Sequence, residues 1–139
     1  MDNSAILKAF NNHFIEFIDD IIRVFPDDDD IVAAKNGLVS IKKANPKLIH
    51  NIWSTYISTK YGTEIDAGDI DFFTNKDYSE ELNGMTYANT IMSKIDVLRE
   101  PIRRMDPENK SKVISYMQNL TKLADMYVSG SASRQHISI

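Results

Sequence analysis

The sequence contains no cysteine and has only four prolines and five glycines among its 139 residues. Without cysteine, the chain cannot hold a disulfide framework, a thiolate metal site or a cysteine nucleophile. The apolar runs fall far short of the roughly 18 residues that a transmembrane helix needs. The N-terminus also lacks the charged and apolar regions of a signal peptide. We therefore expect neither a membrane span nor a secretory leader.

What the sequence does contain is a balance of 42% hydrophobic and 26% charged residues, with a net charge of −4 at pH 7. This balance is typical of a compact globular protein. The length corresponds to one domain that is large enough to bury a core. The mild negative charge argues against general binding to nucleic acid.

Apolar residues recur at steps of three and four along most of the chain, which is the periodicity of amphipathic helices. The sequence predicts an all-α, single-domain bundle of about five helices, over residues 4–25, 31–44, 46–61, 79–105 and 107–127. We expect Ser4, Asn45 and Asp106 to act as N-caps, and Gly62 to end the third helix. The apolar spacing continues across Pro101, so we expect this proline to kink the fourth helix rather than to end it.

Two segments depart from the helical pattern. Residues 63–78 combine turn-forming Asp, Asn and Gly with large apolar side chains, so we expect a packed loop rather than a linker. The chain then divides into a helical domain, 1–128, and an extended C-terminal tail, 129–139. The tail is small and polar and cannot pack alone. We expect it to dock on its own domain or on a neighbour through Ile137 and Ile139.

The net charge conceals alternating blocks along the chain. Residues 1–34, 35–60, 61–81 and 82–139 carry net charges of −6, +5, −6 and +3. Antiparallel helices with oppositely charged solvated faces would produce this pattern, and so would complementary surfaces that meet a neighbouring subunit. On the second interpretation, the candidate partner-binding residues are the two tail anchors and the charged residues at both ends of the second helix. The charged residues are Asp27, Asp28, Asp29, Asp30, Lys42, Lys43 and Lys47.

Two acidic groups invite a metal interpretation. His13, Glu16 and Asp20 share one face of the first helix at the spacing of helical metal ligands, but no second Glu-x-x-His pair accompanies them. Surface ion pairing is the simpler interpretation of these three residues. The acidic segment 66–71 fails the EF-hand pattern, because apolar residues or glycine occupy ligand positions. We therefore expect no metal and no cofactor.

The second and third helices carry a basic stretch with aromatic neighbours. Its members are Lys35, Lys42, Lys43, Lys47, His50 and Lys60. Basic groups interleaved with aromatics can bind single-stranded nucleic acid. Trp53 and Tyr56, however, share the helical face of the apolar residues and are expected in the core. The sequence holds no glycine-rich phosphate loop, nucleophile elbow or catalytic triad pattern, so we predict that the protein is not an enzyme.

Five parts of the chain together carry a family resemblance: FNNHFIEFIDDIIRVFP, IKKANPKLI followed by Trp53, GDIDFF with KDYSEEL, LREPIRRM, and ENKSKVISYMQNLTKLADMY. In combination they resemble small uncharacterised proteins of nucleocytoplasmic large DNA viruses, of the phycodnavirus and mimivirus kind. The resemblance covers about residues 10–127. Because it consists of helix boundaries and core stripes, it implies a lineage and carries over no catalytic residue.

The resemblance implies a minor capsid or virion component, located in the virion and otherwise in the cytoplasm. We therefore expect a non-enzymatic structural protein that contacts other subunits, either capsid proteins or copies of itself. Two alternatives stay open. One is a helical adaptor that binds a host or viral protein, and the other is a weak nucleic-acid binder that uses residues 35–60.

Overall fold

A computed structural model describes the backbone of residues 3–69 and 86–137, and the side chains of residues 3–59, 61–69 and 90–127. Every regular element in these residues is helical, which confirms the predicted all-α class. The helices are α1 (Asn3–Val24), α2 (Asp29–Ala44), α3 (Leu48–Trp53), α4 (Thr59–Asp66), α5 (Thr86–Asp96), α6 (Arg99–Arg103) and α7 (Pro107–Ile137). A π-helical segment, Ser54–Ser58, joins α3 to α4 without a break in the helical backbone.

The pairing of α1 with α7 is the most extensive contact between described helices. Near the end of α1, the guanidinium of Arg23 donates to the side-chain oxygen of Asn109, in the first turn of α7, at 3.1 Å. At the opposite end, Ala9 of α1 and Met126 of α7 line the same groove. The two helices therefore run antiparallel. Helix α3 and the π-helical segment pack against this pair, and α2 and α5 complete the described bundle.

The core lies between these helices and is built around a group of aromatic rings. Trp53 is fully buried, and its ring meets those of Phe10 and Phe14 edge to face, with centroids 6.3 and 6.1 Å apart. Aliphatic side chains from five helices and the π-helical segment surround this group: Ile18, Ile21, Ile31, Leu38, Ile49, Ile57, Ile91, Met92, Ile95, Val113, Met117 and Leu120. The apolar stripes read from the sequence therefore meet in one core.

Two helices, α2 and α7, begin after an aspartate whose side chain caps the helix. Pro107 is the first residue of α7, and the carboxylate of Asp106 accepts from the backbone N–H of Asn109 at 2.8 Å, which confirms the predicted cap. At α2, the carboxylate of Asp28 accepts from the N–H groups of the second and third helical residues. Because Asp28 is the cap, α2 begins at Asp29, two residues earlier than predicted.

The predicted cap at Ser4 is wrong, whereas Asn45 makes the hydrogen bond of a cap ahead of the regular helix. Ser4 lies inside α1, which already includes Asn3. Asn45 belongs to a turn that precedes α3. Its side-chain oxygen accepts from the N–H of Lys47 at 3.2 Å, and the helix begins only at Leu48. Asn45 is extended and accepts from the second residue after it, as an N-cap does, so the Asn-Pro pair opens a first turn and the regular helix follows two residues later than predicted.

The end of α4 is set by Gly68 and not by Gly62, as the sequence analysis predicted. Gly62 lies within α4, whereas Gly68 has a positive φ of 78°. Around Gly68, the N–H of Asp69 donates to the carbonyl of Glu64 at 2.9 Å, and the N–H of Gly68 donates to the carbonyl of Ile65 at 3.0 Å. These two bonds define a Schellman motif, which ends a helix with a residue in the left-handed conformation.

Alanine substitutions at the two glycines are expected to have opposite effects on stability. Gly68→Ala should lower the free energy of unfolding by about 1 kcal/mol, because a Cβ strains the left-handed conformation. Gly62→Ala should raise it by about 0.5–1 kcal/mol, because a Cβ there meets no atom within 4 Å and alanine favours the helix. Urea denaturation of both variants measures the two effects. A loss at Gly62 with no loss at Gly68 would contradict the assignment of the cap.

The single kinked helix that was predicted across Pro101 is instead two helices. Helix α5 ends at Asp96, the chain turns through Val97 and Leu98, and α6 begins at Arg99. Pro101 is the third residue of α6. A proline is tolerated in the first turn, because its missing N–H would have no helical partner there. The break therefore precedes the proline.

Two further boundaries differ from the sequence analysis. The expected packed loop 63–78 begins as helix, because α4 extends to Asp66 and buries Ile65. The rest of that loop beyond Asp69 lies outside the described residues. The tail 129–139 was expected to be extended, but the helical backbone of α7 continues to Ile137. Ser, Ala, Arg and Gln are all compatible with a helix, and no proline follows Tyr127 to stop it.

Candidate functional site

The charged residues predicted to bind a partner lie at opposite ends of α2. The acidic run Asp27–Asp30 precedes and opens the helix, whereas Lys42 and Lys43 lie in its last turn, and Lys47 follows. The helical residues 31–41 separate the two groups by about 18 Å. The structure therefore does not bring these residues together. Of the two predicted tail anchors, Ile137 ends the backbone of α7 and Ile139 lies outside the described residues.

The acidic run is engaged in local structure. Asp28 caps α2, and its second carboxylate oxygen lies 3.9 Å from the guanidinium of Arg104. The same guanidinium lies over the ring of Phe25, 5.1 Å from its centroid. Asp29 and Asp30 occupy the first helical turn, where the helix dipole favours negative charge. Stabilising the helix start is thus one role of the run that the structure shows.

The three residues first considered as metal ligands lie on one face of α1, but they point to different partners. The His13 ring Nδ1 lies 3.6 Å from a carboxylate oxygen of Glu16, and the Asp20 carboxylate accepts from Arg23 at 2.9 Å. Among the described residues, no group of three His, Asp or Glu side chains is placed to hold a metal ion. Ion pairing is therefore the geometry that these residues adopt.

These same residues form one wall of an open groove between α1 and α7, which we call the α1–α7 groove. Its two adjoining cavities each have a volume of about 490 Å³. The α1 wall consists of Ala9, Asn12, His13, Glu16 and Asp20. The α7 wall consists of Ser111, Lys112, Ser115, Tyr116, Asn119, Lys122, Leu123 and Met126.

The half-buried rings of His13, which lines both cavities, and Tyr116, which lines one of them, form the floor of the α1–α7 groove. Their rings lie 4.9 Å apart. The His13 Nε2 atom is buried and has no hydrogen-bond partner in the part of the chain that the structure describes. Burial raises the pKa of the Tyr116 hydroxyl, and the nearby Asp20 and Glu16 carboxylates raise that pKa further. The floor is thus a tyrosine beside an acidic wall.

The two walls of the groove carry opposite charges. Glu16 and Asp20 make the α1 wall acidic, and Lys112 and Lys122 make the α7 wall basic. Both lysines are exposed, and neither forms an ion pair with a described carboxylate. At the far end of the groove, Met126 is 46% exposed and is the large apolar side chain that stands out on the described surface. The groove therefore offers separated charges and one apolar anchor.

The basic stretch of α2 and α3 does not form a surface with its aromatic residues. Trp53 and Tyr56 are buried, which confirms their predicted place in the core. His50 is buried too, and Lys35 forms an ion pair with Asp19 at 2.6 Å. With its aromatic rings inside the fold, this stretch has no platform on which a nucleic-acid base could stack.

Buried polar groups link α7 to the helices beneath it. The indole N–H of Trp53 donates to the hydroxyl of Thr121 at 3.2 Å, and the hydroxyl of Ser58 donates to the Asp125 carboxylate at 2.7 Å. His50 lies in the same layer, and its ring centroid is 4.4 Å from that of Tyr127. These contacts fix the position of α7, and therefore of the groove, on α3 and the π-helical segment.

Acid is expected to destabilise the protein through His50. Burial lowers the His50 pKa below the ordinary value of 6.5 in the folded chain. On acidification the unfolded chain therefore takes up this proton first. The free energy of unfolding should fall as the pH drops below about 6.5, until the pH reaches the folded-state pKa. At higher pH, histidine is neutral in both states and the effect vanishes.

The His50 effect can be measured by urea denaturation at about pH 7.5 and pH 5.5. His50→Leu should reduce the loss of stability between these two pH values, while all other titratable groups remain in place. The comparison uses the change with pH, so a constant cost of the substitution cancels. Equal losses in the parent chain and the variant would contradict a depressed His50 pKa.

Sequence reasoning grouped His13, Glu16 and Asp20 on one face of the first helix, but as surface ion pairs and not as the wall of a groove. The α7 wall was missed, although a signal was present. Ser111, Ser115 and Asn119 recur every four residues and place small polar side chains in one stripe along that helix. What the sequence could not supply was the long-range pairing that brings this stripe beside α1.

Comparisons with models of protein families, with curated proteins and with solved structures found no match to this chain. The resemblance to proteins of large DNA viruses therefore stays a prediction from the sequence. Within the part of the chain that the structure describes, no helix is long and apolar enough to cross a membrane.

Proposed function

We propose that this chain is a non-enzymatic structural or interaction protein that binds another protein subunit in the α1–α7 groove. The observation that carries the proposal is the opposite charge of the two walls, with Lys112 and Lys122 facing Glu16 and Asp20 across an open groove. A docked helix with charged side chains on both edges would complement both walls. Met126 offers such a helix an apolar contact at one end.

A role as a minor capsid or virion component is the finer form of this proposal, and it rests on the sequence resemblance alone. A virion subunit without cysteine must be held by packing and charge, and the groove provides both kinds of contact. Proteomics of purified virus particles tests this step. Detection of the chain at a reproducible copy number supports it, and absence from particles that contain the other capsid proteins contradicts it.

Site-specific photo-crosslinking tests the groove itself. A crosslinking amino acid replaces Ser115, inside the groove, or Ser40, an exposed serine of α2 outside it. We expect a covalent adduct of one discrete mass from position 115 in cells that produce the full chain, and none from position 40. Mass spectrometry identifies the protein in the adduct.

The adduct must also depend on the charge of the groove. Glu16→Lys should abolish it, because the acidic wall then repels the basic edge that it binds. Lys43→Glu serves as the control, since this exposed lysine lies on α2, away from the groove. Equal adducts from positions 115 and 40, or an adduct that is insensitive to Glu16→Lys, would contradict the proposal.

A further inference from the structure

We infer that the subunit bound in the α1–α7 groove is a second copy of this chain, in a two-fold symmetric dimer whose axis runs parallel to α1 and α7. This inference rests on the proposed function, since it names the partner of the same groove. The argument starts from charge. Each copy carries an acidic wall on α1 and a basic wall on α7, so one surface contains both halves of a complementary pair.

The symmetry follows from where these charges lie. A two-fold axis parallel to the helices places α1 of one copy over α7 of the other, and it preserves height along the groove. The contacts of Tyr116 with His13 and Phe17 place Glu16 level with Tyr116, and Lys112 lies one turn, about 6 Å, further along the groove. Both side chains are long and exposed, so Glu16 can reach Lys112 of the partner subunit across the axis. A two-fold axis across the helices would place α1 over α1 and oppose the two acidic walls. Charge repulsion therefore selects the parallel axis.

The charged side chains that this contact needs do not form ion pairs with each other within one copy. The Glu16 side chain is 64% exposed, and its nearest basic group is the His13 ring at 3.6 Å. Lys112 and Lys122 are exposed and form no ion pair with a described carboxylate. The dimer would give Lys112 an acidic partner in Glu16 without breaking the ion pair between Arg23 and Asp20.

The shape of the groove also suits a second helix pair. Ala9, Ser111 and Ser115 are small, so the helices of a second copy can approach closely. The α7 wall from Ser111 to Met126 is about 23 Å long and the helix pair is about 20 Å wide, which corresponds to about 900 Å² buried in total. This area is at the low end for specific complexes. We therefore expect reversible association in the micromolar range or weaker.

Sedimentation velocity of the purified full-length chain over a concentration series tests the inference. The parent chain should form dimers at high concentration, and added salt should weaken them. Glu16→Lys and Lys112→Glu should each weaken dimerisation by about tenfold or more, because each creates two like-charge contacts across the axis. Lys43→Glu, outside the groove, should leave dimerisation unchanged.

The decisive arm is the mixture of the two charge variants. Glu16→Lys and Lys112→Glu together should form a heterodimer nearly as stable as the parent dimer, because all charge contacts across the axis are then attractive again. Ser115→Arg supplies a second, steric test, since a long side chain would fill the groove and prevent dimerisation. Far-UV circular dichroism establishes that each variant is folded.

The outcomes separate this inference from the proposed function. A chain that remains monomeric at all concentrations, or a dimer that none of the groove variants affects, would overturn the inference. If the crosslinked partner at position 115 in cells is a different protein, the proposed function stands and self-association falls. If position 115 gives no adduct in cells and the purified chain is monomeric, both fail.

Discussion

Replacing Trp53 by alanine is expected to lower the free energy of unfolding by about 3–5 kcal/mol. The side chain is fully buried, contacts Phe10 and Phe14 through ring edges, and donates a hydrogen bond to Thr121. Its removal leaves a cavity at the junction of α1, α3 and α7, where three helices meet and collapse is hindered. The loss therefore includes both the transfer of a large ring and the cavity.

Urea denaturation followed by far-UV circular dichroism measures the Trp53→Ala effect, since the variant lacks the chain's single tryptophan fluorophore. Thr55→Ala is the matched control. It lies two residues away in the π-helical segment, is exposed, and should change stability by no more than about 0.5 kcal/mol. Trp53→Phe, which keeps an aromatic ring, should show an intermediate loss. A loss below about 1 kcal/mol for Trp53→Ala would contradict the central place of this ring.

Leu120→Ala is expected to lower the free energy of unfolding by about 2–5 kcal/mol. Leu120 is fully buried on the inner face of α7, within the core that α1 and α3 share. Its neighbour Asn119 lies on the outer face and lines the groove. Asn119→Ala should therefore change stability by no more than about 0.5 kcal/mol. These two adjacent substitutions test which face of α7 is packed and which is free.

The Leu120 and Asn119 variants are compared by urea denaturation under identical conditions. Similar losses at both positions would mean that α7 is rotated from the orientation described here. A large loss at Asn119 with a small loss at Leu120 would place the polar stripe inside the fold. Either result would remove the physical basis of the α1–α7 groove.

The helical class and the core were predictable because they depend on local periodicity. The stripe through Phe10, Phe14 and Phe17 repeats at helical spacing and is buried in one core. The start of α7 was predictable for the same reason, since a proline after an aspartate carries its own geometric signal. Such features need no knowledge of what lies across the fold.

The features that the sequence did not predict depend on choices between similar local signals. Gly62 and Gly68 both follow helical residues, but only the backbone shows which one adopts positive φ. Pro101 was expected to mark a kink, yet a break at Val97 places it in a first turn, where it costs little. The α1–α7 groove was not predicted, although His13, Glu16 and Asp20 were placed on one helix face, because its two walls meet only through the long-range pairing of two helices.

The candidate site also changes the meaning of the charge blocks. Part of the alternation belongs to solvated helices with local ion pairs, as between Lys35 and Asp19. A second part lies along the α1–α7 groove, where Glu16 and Lys112 face the same open space. The structure therefore shows the first interpretation at Lys35 and Asp19, and contact with a neighbouring subunit stays a proposal for the groove.

Concentration-dependent NMR of the purified chain tests the docking surface most directly. In a dilution series of amide spectra, we predict that the shifts that change with concentration cluster at the groove, including Ala9, Asn12, Ser115 and Asn119. Amides of the exposed face of α2, such as those of Ser40 and Lys43, should stay constant. Changes confined to α2, or spectra that do not depend on concentration up to the solubility limit, would contradict docking of a second copy in the α1–α7 groove.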